Sequence, residues 1–233
     1  PHSTCDTFTS SLTFSKFQCN TVLRAQGIDV PRGESFFEEP QSGIFNDWQY
    51  PLFVKPNRSG SSFGVSRIES PEGFSAAFKE AQKEDKEVIV EEGITGVEVG
   101  CGVLRASYDF ASNVELDESV TQSIAITEIV PTESAFFDYE AKYDGKSQEI
   151  TPARIPAETA ATIEQISIRT YDLLGLKGIV RMDYIIDQER GPVLIEVNSI
   201  PGLSPASIVP QQVAYRGWQL HHALSVLAEE HIA

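Results

Sequence analysis

The sequence predicts an α+β fold whose sheets are mainly antiparallel, and three stretches support that prediction. Two runs rich in Ile and Val, 179–186 and 192–197, flank a short polar segment. Such a pattern is typical of an antiparallel hairpin. A second pair of apolar runs, 50–55 and 65–68, encloses a loop rich in Gly and Ser. Residues 156–175 have the apolar periodicity of an amphipathic helix.

The composition sets outer bounds on size, partners and compartment. The chain has 233 residues, of which 41% are hydrophobic and 22% charged, so it can bury the core of one large or two small domains. Its net charge of −16 argues against nucleic acid or an anionic membrane as the main partner. No apolar run is long enough to span a bilayer. Three widely spaced cysteines predict neither a disulfide framework nor a zinc site, and a reducing cytoplasm fits best.

The predicted hairpin brings two acidic side chains face to face. With a turn centred between residues 189 and 190, Asp183 lies opposite Glu196, and Asn198 and Arg181 project from the same face. Like charges that face each other repel, so the pair predicts a cation between them. Two carboxylates and an amide oxygen suit Mg²⁺ or Mn²⁺. An exposed face with ordinary charges is the alternative. The apolar neighbours favour the metal site, because a buried carboxylate pair without a partner is costly.

The loop after Lys55 has the composition of a phosphate-binding backbone. It reads Lys55-Pro-Asn-Arg-Ser-Gly-Ser-Ser-Phe-Gly-Val65. Small residues let backbone N–H groups approach phosphate closely, and the hydroxyls add donors. Neither the P-loop pattern nor a dinucleotide fingerprint is present. A loop of this kind between strands is also often a plain hairpin turn, so its composition leaves both interpretations open.

Elsewhere the residues predict ordinary elements. A helix begins at Ser70, with Pro at its first position, and a strand covers 88–90. We also predict helices over 12–26 and 213–227, and irregular connections over 33–48 and 106–118.

Four motifs resemble those of the D-alanine–D-alanine ligases, members of the ATP-grasp superfamily. The first is R-M-D followed by E-V-N-S-I-P-G-L-S, in residues 181–204, and the second is K-P-x-R-x-G-S-S-x-G-V, in residues 55–65. The third is E-x-x-[LIV] with G-x-E, in residues 91–98, and the fourth is F-x-D-Y-E-A-K-Y, in residues 136–143. The resemblance covers essentially the whole chain and implies that an N-terminal domain is missing. It implies two α/β subdomains with mainly antiparallel sheets that grip a nucleotide between them. Residues 1–15 are then a remnant of a linker, 16–98 the central subdomain, and 99–233 the C-terminal subdomain with the metal and substrate site.

The resemblance also assigns residues to the nucleotide. The cofactor-binding set is Lys16, Lys55, Glu91, Glu92, Gly93, Ile94, Glu98, Phe136 and Lys142. Within it, the lysines would bind ATP phosphates, with Lys142 on a loop that closes over the nucleotide. Residues 91–94 would contact adenine through the backbone, and Glu98 would bind the ribose. The family usually has Asp where this chain has Ser15.

The remaining roles concern metal and amino acids. Two Mg²⁺ or Mn²⁺ ions would be held by Asp183, Glu196 and Asn198. The catalytic set would be Arg181 and the N–H of Gly202, which stabilise the oxyanion, with Ser61 and Tyr143, which orient the first D-alanine. Ser207 and the N–H of Ile208 would clamp the carboxylate of the second; the family more often has Leu at the latter place.

The function implied is ATP-dependent ligation of two D-alanine molecules through an acyl phosphate, for peptidoglycan precursor synthesis, by a homodimer when the protein is complete. One alternative is another ATP-grasp carboxylate–amine ligase that uses D-serine or D-lactate, although Lys142 and Tyr143 point to D-alanine. The other is a nucleotide- and metal-binding module without ligase activity. In the family the first domain supplies an acid that binds the first substrate, so we expect weak or no ligation by these residues alone.

Overall fold

The structure is a computed structural model that describes residues 2–45, 47–131 and 147–229. It divides into two compact units. The described part of the central unit is 14–45, 47–95, 131 and 147–148, and that of the C-terminal unit is 2–13, 96–130 and 149–229. Within the described ranges, no helix combines the length and the apolar character needed to cross a membrane.

The central unit is built on a four-stranded antiparallel sheet. Its strands, in the order β1-β4-β2-β3, are β1 Gly33–Phe36, β2 Leu52–Pro56, β3 Ser66–Ile68 and β4 Val88–Glu92. Its helices are α2 Lys16–Ala25 and α3 Phe74–Glu84, with 3₁₀ turns at Ser42–Phe45 and Pro71–Gly73. The side chains at the i, i+3, i+4 and i+7 positions of α3 are all buried and form the core with β2 and β4: Phe74, Ala77, Phe78 and Ala81.

The C-terminal unit contains a five-stranded sheet in the order β7-β6-β5-β8-β9. The strands are β5 Gly96–Asp109, β6 Val114–Pro131, β7 Ser147–Ile150, β8 Val180–Asp187 and β9 Gly191–Asn198. The helices are α1 Thr7–Phe14, α4 Ala157–Leu173, α5 Ile208–Tyr215 and α6 Leu220–Glu229. Strand β5 pairs antiparallel with both β6 and β8, and β8 pairs antiparallel with β9. The predicted α+β class with mainly antiparallel sheets is therefore confirmed.

The β8–β9 hairpin reaches its register through a bulge. Its turn is centred on Glu189, because Asp187 pairs with Gly191, and not between residues 189 and 190 as predicted. The register shifts by one residue at Ile195, after which Asp183 pairs with Glu196 as expected. Without this bulge the same turn would place Asp183 opposite Ile195, and Glu196 would face the other side of the sheet.

The unit boundaries differ from the predicted subdomains at both ends. Residues 2–13, expected to be part of a linker, pack on the C-terminal unit, where Thr13 Oγ1 donates a hydrogen bond to Ser199 Oγ at 3.0 Å. Residues 96–98 also belong to that unit, because β5 begins at Gly96 and pairs with β8 from there.

Two predicted helices are each divided into two. The first breaks at Ser15, between α1 and α2, and the last breaks between α5 and α6, where Gly217 adopts a φ of 73°. A left-handed residue of this kind ends a helix. Each pair of helices shares one apolar pattern, so periodicity alone did not reveal the break.

Two predicted connections are wrong because they contain strands. Residues 33–36 form the short edge strand β1, and 106–118 continue β5 and β6 into a two-stranded arm that turns at Asn113, where φ is 58°. Most side chains of 111–120 are exposed. Ala106 and Phe110 on its first half are buried, but the following residues bury little on either face, so their sequence lacks the alternation that predicts a strand.

Gly96 offers a test of the β5–β8 contact. A Cβ at this position would lie 2.0 Å from the carbonyl oxygen of Ile186, so Gly96→Ala must push the strands apart. We expect a loss of about 1–3 kcal/mol in the free energy of unfolding, measured by urea denaturation. Gly60→Ala is the matched control, because nothing lies within 4 Å of its added Cβ. An unchanged midpoint for Gly96→Ala would contradict the close approach of the strands.

Candidate functional site

The predicted acidic face is present on β8 and β9. Asp183 pairs with Glu196 across the strands, and Arg181 pairs with Asn198. Arg181 donates from Nε and Nη2 to the two carboxylate oxygens of Asp183, at 2.7 and 2.9 Å. Asn198 Nδ2 donates to Asp183 Oδ2 at 2.8 Å. The structure therefore brings together all four residues that the sequence placed on this face.

The acidic face is half-buried and carries an excess of negative charge. The side chains of Arg181 and Asp183 are 19% and 14% exposed. The charge of Asp183, with smaller contributions from Glu196 and Glu149, raises the pKa of Arg181 above its ordinary value. One guanidinium thus faces three carboxylates, and a further cation would offset the remaining charge.

The donor set of this face fits a hard divalent cation. Asp183 and Glu196 offer carboxylate oxygens, and Asn198 uses its amide nitrogen toward Asp183, which leaves its amide oxygen as a further hard donor. Gly100 stands opposite Asp183, and a Cβ there would lie 3.1 Å from Asp183 Oδ1, so glycine leaves space beside the carboxylate. Across the residues that the structure describes, no three His, Cys, Asp or Glu side chains gather into a metal-binding group. An ion on this face would therefore need oxygen ligands from a substrate as well.

The predicted oxyanion donor and carboxylate clamp lie next to each other. A Cβ on Gly202 would be 2.7 Å from Ser207 Oγ. Ser207 is the N-cap of α5, yet its hydroxyl shares a hydrogen bond of 2.9 Å with Ser204 Oγ and does not cap its own helix. Ile208 begins α5, so its N–H belongs to the first turn, whose donors have no partner inside the helix.

Two glutamines, Gln211 and Gln212, anchor α5. Neither was singled out from the sequence alone. Gln212 is fully buried and donates to the carbonyl oxygen of Gly100 at 2.8 Å and to Thr127 Oγ1 at 3.1 Å. Gln211 donates to Glu149 and to the carbonyl oxygen of Ala206. A glutamine in a short apolar helix gives no sign of its partners in the sequence, so only the fold identifies these anchors.

In the central unit, Lys55 is held in a buried ion pair. Its Nζ lies 2.5 Å from Glu91 Oε2, and the two side chains are 10% and 3% exposed. Asn20 Nδ2 donates to Glu91 Oε1 at 3.1 Å. The Glu91 carboxylate therefore holds the Lys55 ammonium group in one position.

The predicted adenine segment, residues 91–94, consists of the last two residues of β4 and the two residues after it. The side chain of Glu92 accepts the Arg32 N–H at 2.8 Å, which is a structural role. The N–H of Glu92 donates to the Arg32 carbonyl oxygen and that of Gly93 to the Pro51 carbonyl oxygen, at 3.0 and 2.9 Å. Ile94 lies just beyond β4 and is partly buried.

The Gly/Ser loop, residues 57–65, has an unusual backbone. Ser61 and Ser62 have φ of 52° and 60°, in the left-handed region that glycine prefers. Each such residue costs about 1–3 kcal/mol and is common at ligand sites. Lys16, the first residue of α2, donates from Nζ to the Ser59 carbonyl oxygen at 2.8 Å. Lys16 and the loop are thus in direct contact.

The contacts described above do not include the remaining predicted residues. Glu98 lies on β5, half-buried, where it pairs with Ile129 and Ile185. Three lie outside the described residues: Phe136, Lys142 and Tyr143.

Comparisons with known proteins show the family to which the chain belongs. The sequence profile described as "D-ala D-ala ligase C-terminus" matches residues 30–229. The D-alanine–D-alanine ligase of Phocaeicola vulgatus is 38% identical over 232 residues, which is 98% of this chain and 68% of that protein. That of Flavobacterium johnsoniae is 39% identical over 226 residues, 94% of this chain and 65% of that protein.

The chain belongs to the D-alanine–D-alanine ligase family.

Solved structures of the family share its fold. The VanG D-Ala:D-Ser ligase from Enterococcus faecalis has 34% identity and a TM-score of 0.80, over 98% of this chain and 64% of that one. The D-alanine–D-alanine ligase from Coxiella burnetii has the same TM-score at 23% identity. The chain is thus a ligase of the ATP-grasp fold, and it spans about two thirds of the length of its D-alanine–D-alanine ligase relatives.

The buried Lys55–Glu91 ion pair gives a prediction for the stability of the central unit. Lys55→Met leaves the Glu91 carboxylate buried with Asn20 alone, so we expect a loss of about 3–5 kcal/mol in the free energy of unfolding. The double variant Lys55→Met with Glu91→Gln removes the uncompensated charge and should recover most of that loss. Urea denaturation measures both. A loss as small as that of an exposed pair, about 1 kcal/mol or less, would contradict the buried contact.

Proposed function

We propose that the chain supplies the nucleotide, metal and amino-acid sites of an enzyme that joins two D-alanine molecules to D-alanyl-D-alanine with ATP. The acidic face on β8 and β9 is the main support, because in a member of this ligase family it pairs Arg181 with Asp183 and sets Asp183 opposite Glu196. The names of the curated relatives favour D-alanine as both substrates. The product would serve the synthesis of peptidoglycan precursors.

The residues proposed to bind the ATP phosphates lie in the central unit. Lys55 and Lys16 would bind ATP phosphates, and residues 91–94 would contact adenine. The strained backbone at Ser61 and Ser62 supports a ligand-binding role for the loop between them and Lys55. Glu98 would bind the ribose. Three residues outside the described ranges would complete the nucleotide and first amino-acid sites: Lys142, Tyr143 and Phe136.

Asp183, Glu196 and Asn198 would hold two Mg²⁺ or Mn²⁺ ions. When bound, these ions would neutralise the charge on the transferred phosphate. The carboxylates also fix Arg181, whose guanidinium would stabilise the oxygen that becomes negative when the amine attacks. The Gly202 N–H would act on the same oxygen, and Ser207 with the Ile208 N–H would hold the second carboxylate.

The proposed reaction proceeds without a nucleophilic side chain. The carboxylate of one D-alanine would take the γ-phosphoryl group of ATP, and the amine of the second would displace phosphate from the acyl phosphate. Burial raises the pKa of the Cys101 thiol to about 12, so this cysteine is not a thiolate at neutral pH. Direct transfer between bound substrates is consistent with that environment.

Compartment and assembly are also part of the proposal. All three cysteines are buried thiols, which suits a reducing cytoplasm. We propose that the complete protein is a homodimer, as the family resemblance implies.

The first test is a thermal shift of this chain with ATP, with and without Mg²⁺. A ligand that binds only the folded state raises the unfolding midpoint; at a hundred times its dissociation constant it adds about 2.7 kcal/mol. We expect an ATP-dependent rise that requires Mg²⁺ and disappears when EDTA is added.

Glu196→Gln is the matched variant, because it keeps the size of the side chain and removes one charge from the acidic face. We expect the Mg²⁺-dependent part of the rise to be lost. The absence of any rise with the unsubstituted chain would contradict the proposal that these residues bind nucleotide on their own.

Arg181→Ala tests the proposed oxyanion role in the complete protein. Loss of one such donor lowers turnover by about 10²–10³-fold, while ATP should still raise the unfolding midpoint. Arg181→Lys keeps the charge but cannot make the two-oxygen contact with Asp183, so it should recover little activity. Turnover that survives Arg181→Ala would show that the role is wrong.

A further inference from the structure

A fully buried asparagine, Asn57, joins the Gly/Ser loop to the helix that carries Lys16. It follows Lys55 by two residues, where β2 ends. Its Nδ2 lies within hydrogen-bond distance of three acceptors: Ser15 Oγ at 2.9 Å, Gln18 Oε1 at 3.0 Å and Glu87 Oε2 at 2.8 Å. Its Oδ1 accepts the Phe17 N–H at 2.8 Å.

Asn57 supplies the cap that α2 does not supply for itself. Ser15 is the N-cap of α2 but makes no capping bond through its side chain. The Asn57 side chain satisfies the Phe17 N–H, and the Asn57 carbonyl oxygen accepts the Lys16 N–H at 3.2 Å. These are two of the N–H groups that a helix leaves without a partner in its first turn. The start of α2 is therefore fixed by a residue 40 positions further along the chain.

A buried carboxylate anchors Asn57 from the other side. Glu87 is 2% exposed, accepts hydrogen bonds from Asn57 and from Gln18 Nε2, and forms an ion pair with Arg58. The Asn57 N–H also donates to the Glu87 carbonyl oxygen at 2.8 Å. The amide is thus held between a carboxylate and a helix start, and a side chain without both a donor and an acceptor cannot replace it.

We propose that Asn57 is a positioning residue for the ATP phosphates, which rests on the proposed function above. It lies on the same chain segment as Lys55 and contacts both neighbours of Lys16. Lys16 Nζ in turn reaches the Ser59 carbonyl oxygen within the loop. Asn57 therefore sets the distance between the two lysines and the loop backbone. Its loss should affect binding of the phosphates and spare binding of the adenine.

Asn57→Ala should leave the Phe17 N–H without its acceptor and remove one of the donors to the buried Glu87 carboxylate. The first turn of α2 then loosens and Lys16 loses its fixed position. We expect the affinity for ATP to fall about tenfold, as for the loss of one or two buried hydrogen bonds. The affinity for adenosine should stay within about twofold, because the side-chain hydrogen bonds described for Asn57 go to the start of α2 and to Glu87 rather than to residues 91–94.

The experiment is calorimetric titration of this chain with ATP and Mg²⁺, with adenosine measured by competition. Asn57→Asp keeps the acceptor but places a second carboxylate against Glu87, so it should weaken ATP binding at least as much as Asn57→Ala. The double variant Asn57→Asp with Glu87→Gln exchanges amide and carboxylate between the partners and should restore most of the ATP affinity. Phe74→Leu, in the core of the same unit, controls for lost stability alone.

The outcomes separate a positioning role from a structural one. A loss specific to ATP that the double variant restores supports the inference. Equal losses for ATP and adenosine, or unchanged ATP binding in both Asn57 variants, would overturn it while the proposed function stands. If Asn57→Ala and Asn57→Asp do not fold, the milder Asn57→Ser decides: weak ATP binding with normal adenosine binding supports positioning, and unchanged binding of both ligands, or equal losses of both, overturns it. No nucleotide binding by the unsubstituted chain would overturn the proposed function, and this inference with it.

Discussion

The ion pair between Arg181 and Asp183 is the interaction on which the C-terminal unit's site depends. Asp183 and Glu196 face each other across two paired strands, which would be unfavourable without a cation between them. The guanidinium reduces that repulsion while the face stays half-buried, and Gly100 on the neighbouring strand leaves space for both side chains. Gln212, in the middle of α5, then ties this helix to the carbonyl oxygen of the same glycine. The strand register, the glycine at position 100 and the anchoring of α5 thus all affect the surroundings of the same charged residues.

In the proposed function, the central unit has to hold two lysine side chains in place for an anionic ligand. It does so by burying their partners: Glu91 holds Lys55, and the cluster around Asn57 holds the helix start that bears Lys16. Buried polar contacts of this kind add little net stability, but breaking one of them is costly, so they fix a single geometry. The left-handed backbone at Ser61 and Ser62 has the same character, because a local cost is accepted to hold a defined shape.

The sequence was informative where charge and periodicity coincide. Acidic residues alternating within apolar strands predicted the face that contains Asp183 and Glu196, and the i, i+3, i+4 pattern predicted the buried side of α3. It failed where neither signal exists. The extra residue at Ile195 looks like any strand residue, and residues 111–120 of the arm are too exposed to show an apolar alternation. The partners of Gln212 and Asn57 lie far away in sequence, so their roles follow only from the folded chain.

The positions of the cysteines have a practical consequence for the dynamics of the protein. Cys19 lies on α2, one turn beyond Lys16, and Cys101 lies on β5 beside Gly100; they are 3% and 0% exposed. A thiol reagent can reach such a group only when its surroundings open. Because Cys19 lies in the central unit and Cys101 in the C-terminal unit, the rates of alkylation at these two cysteines report local opening of the two units separately. The native chain therefore carries its own pair of reporters, without any added label.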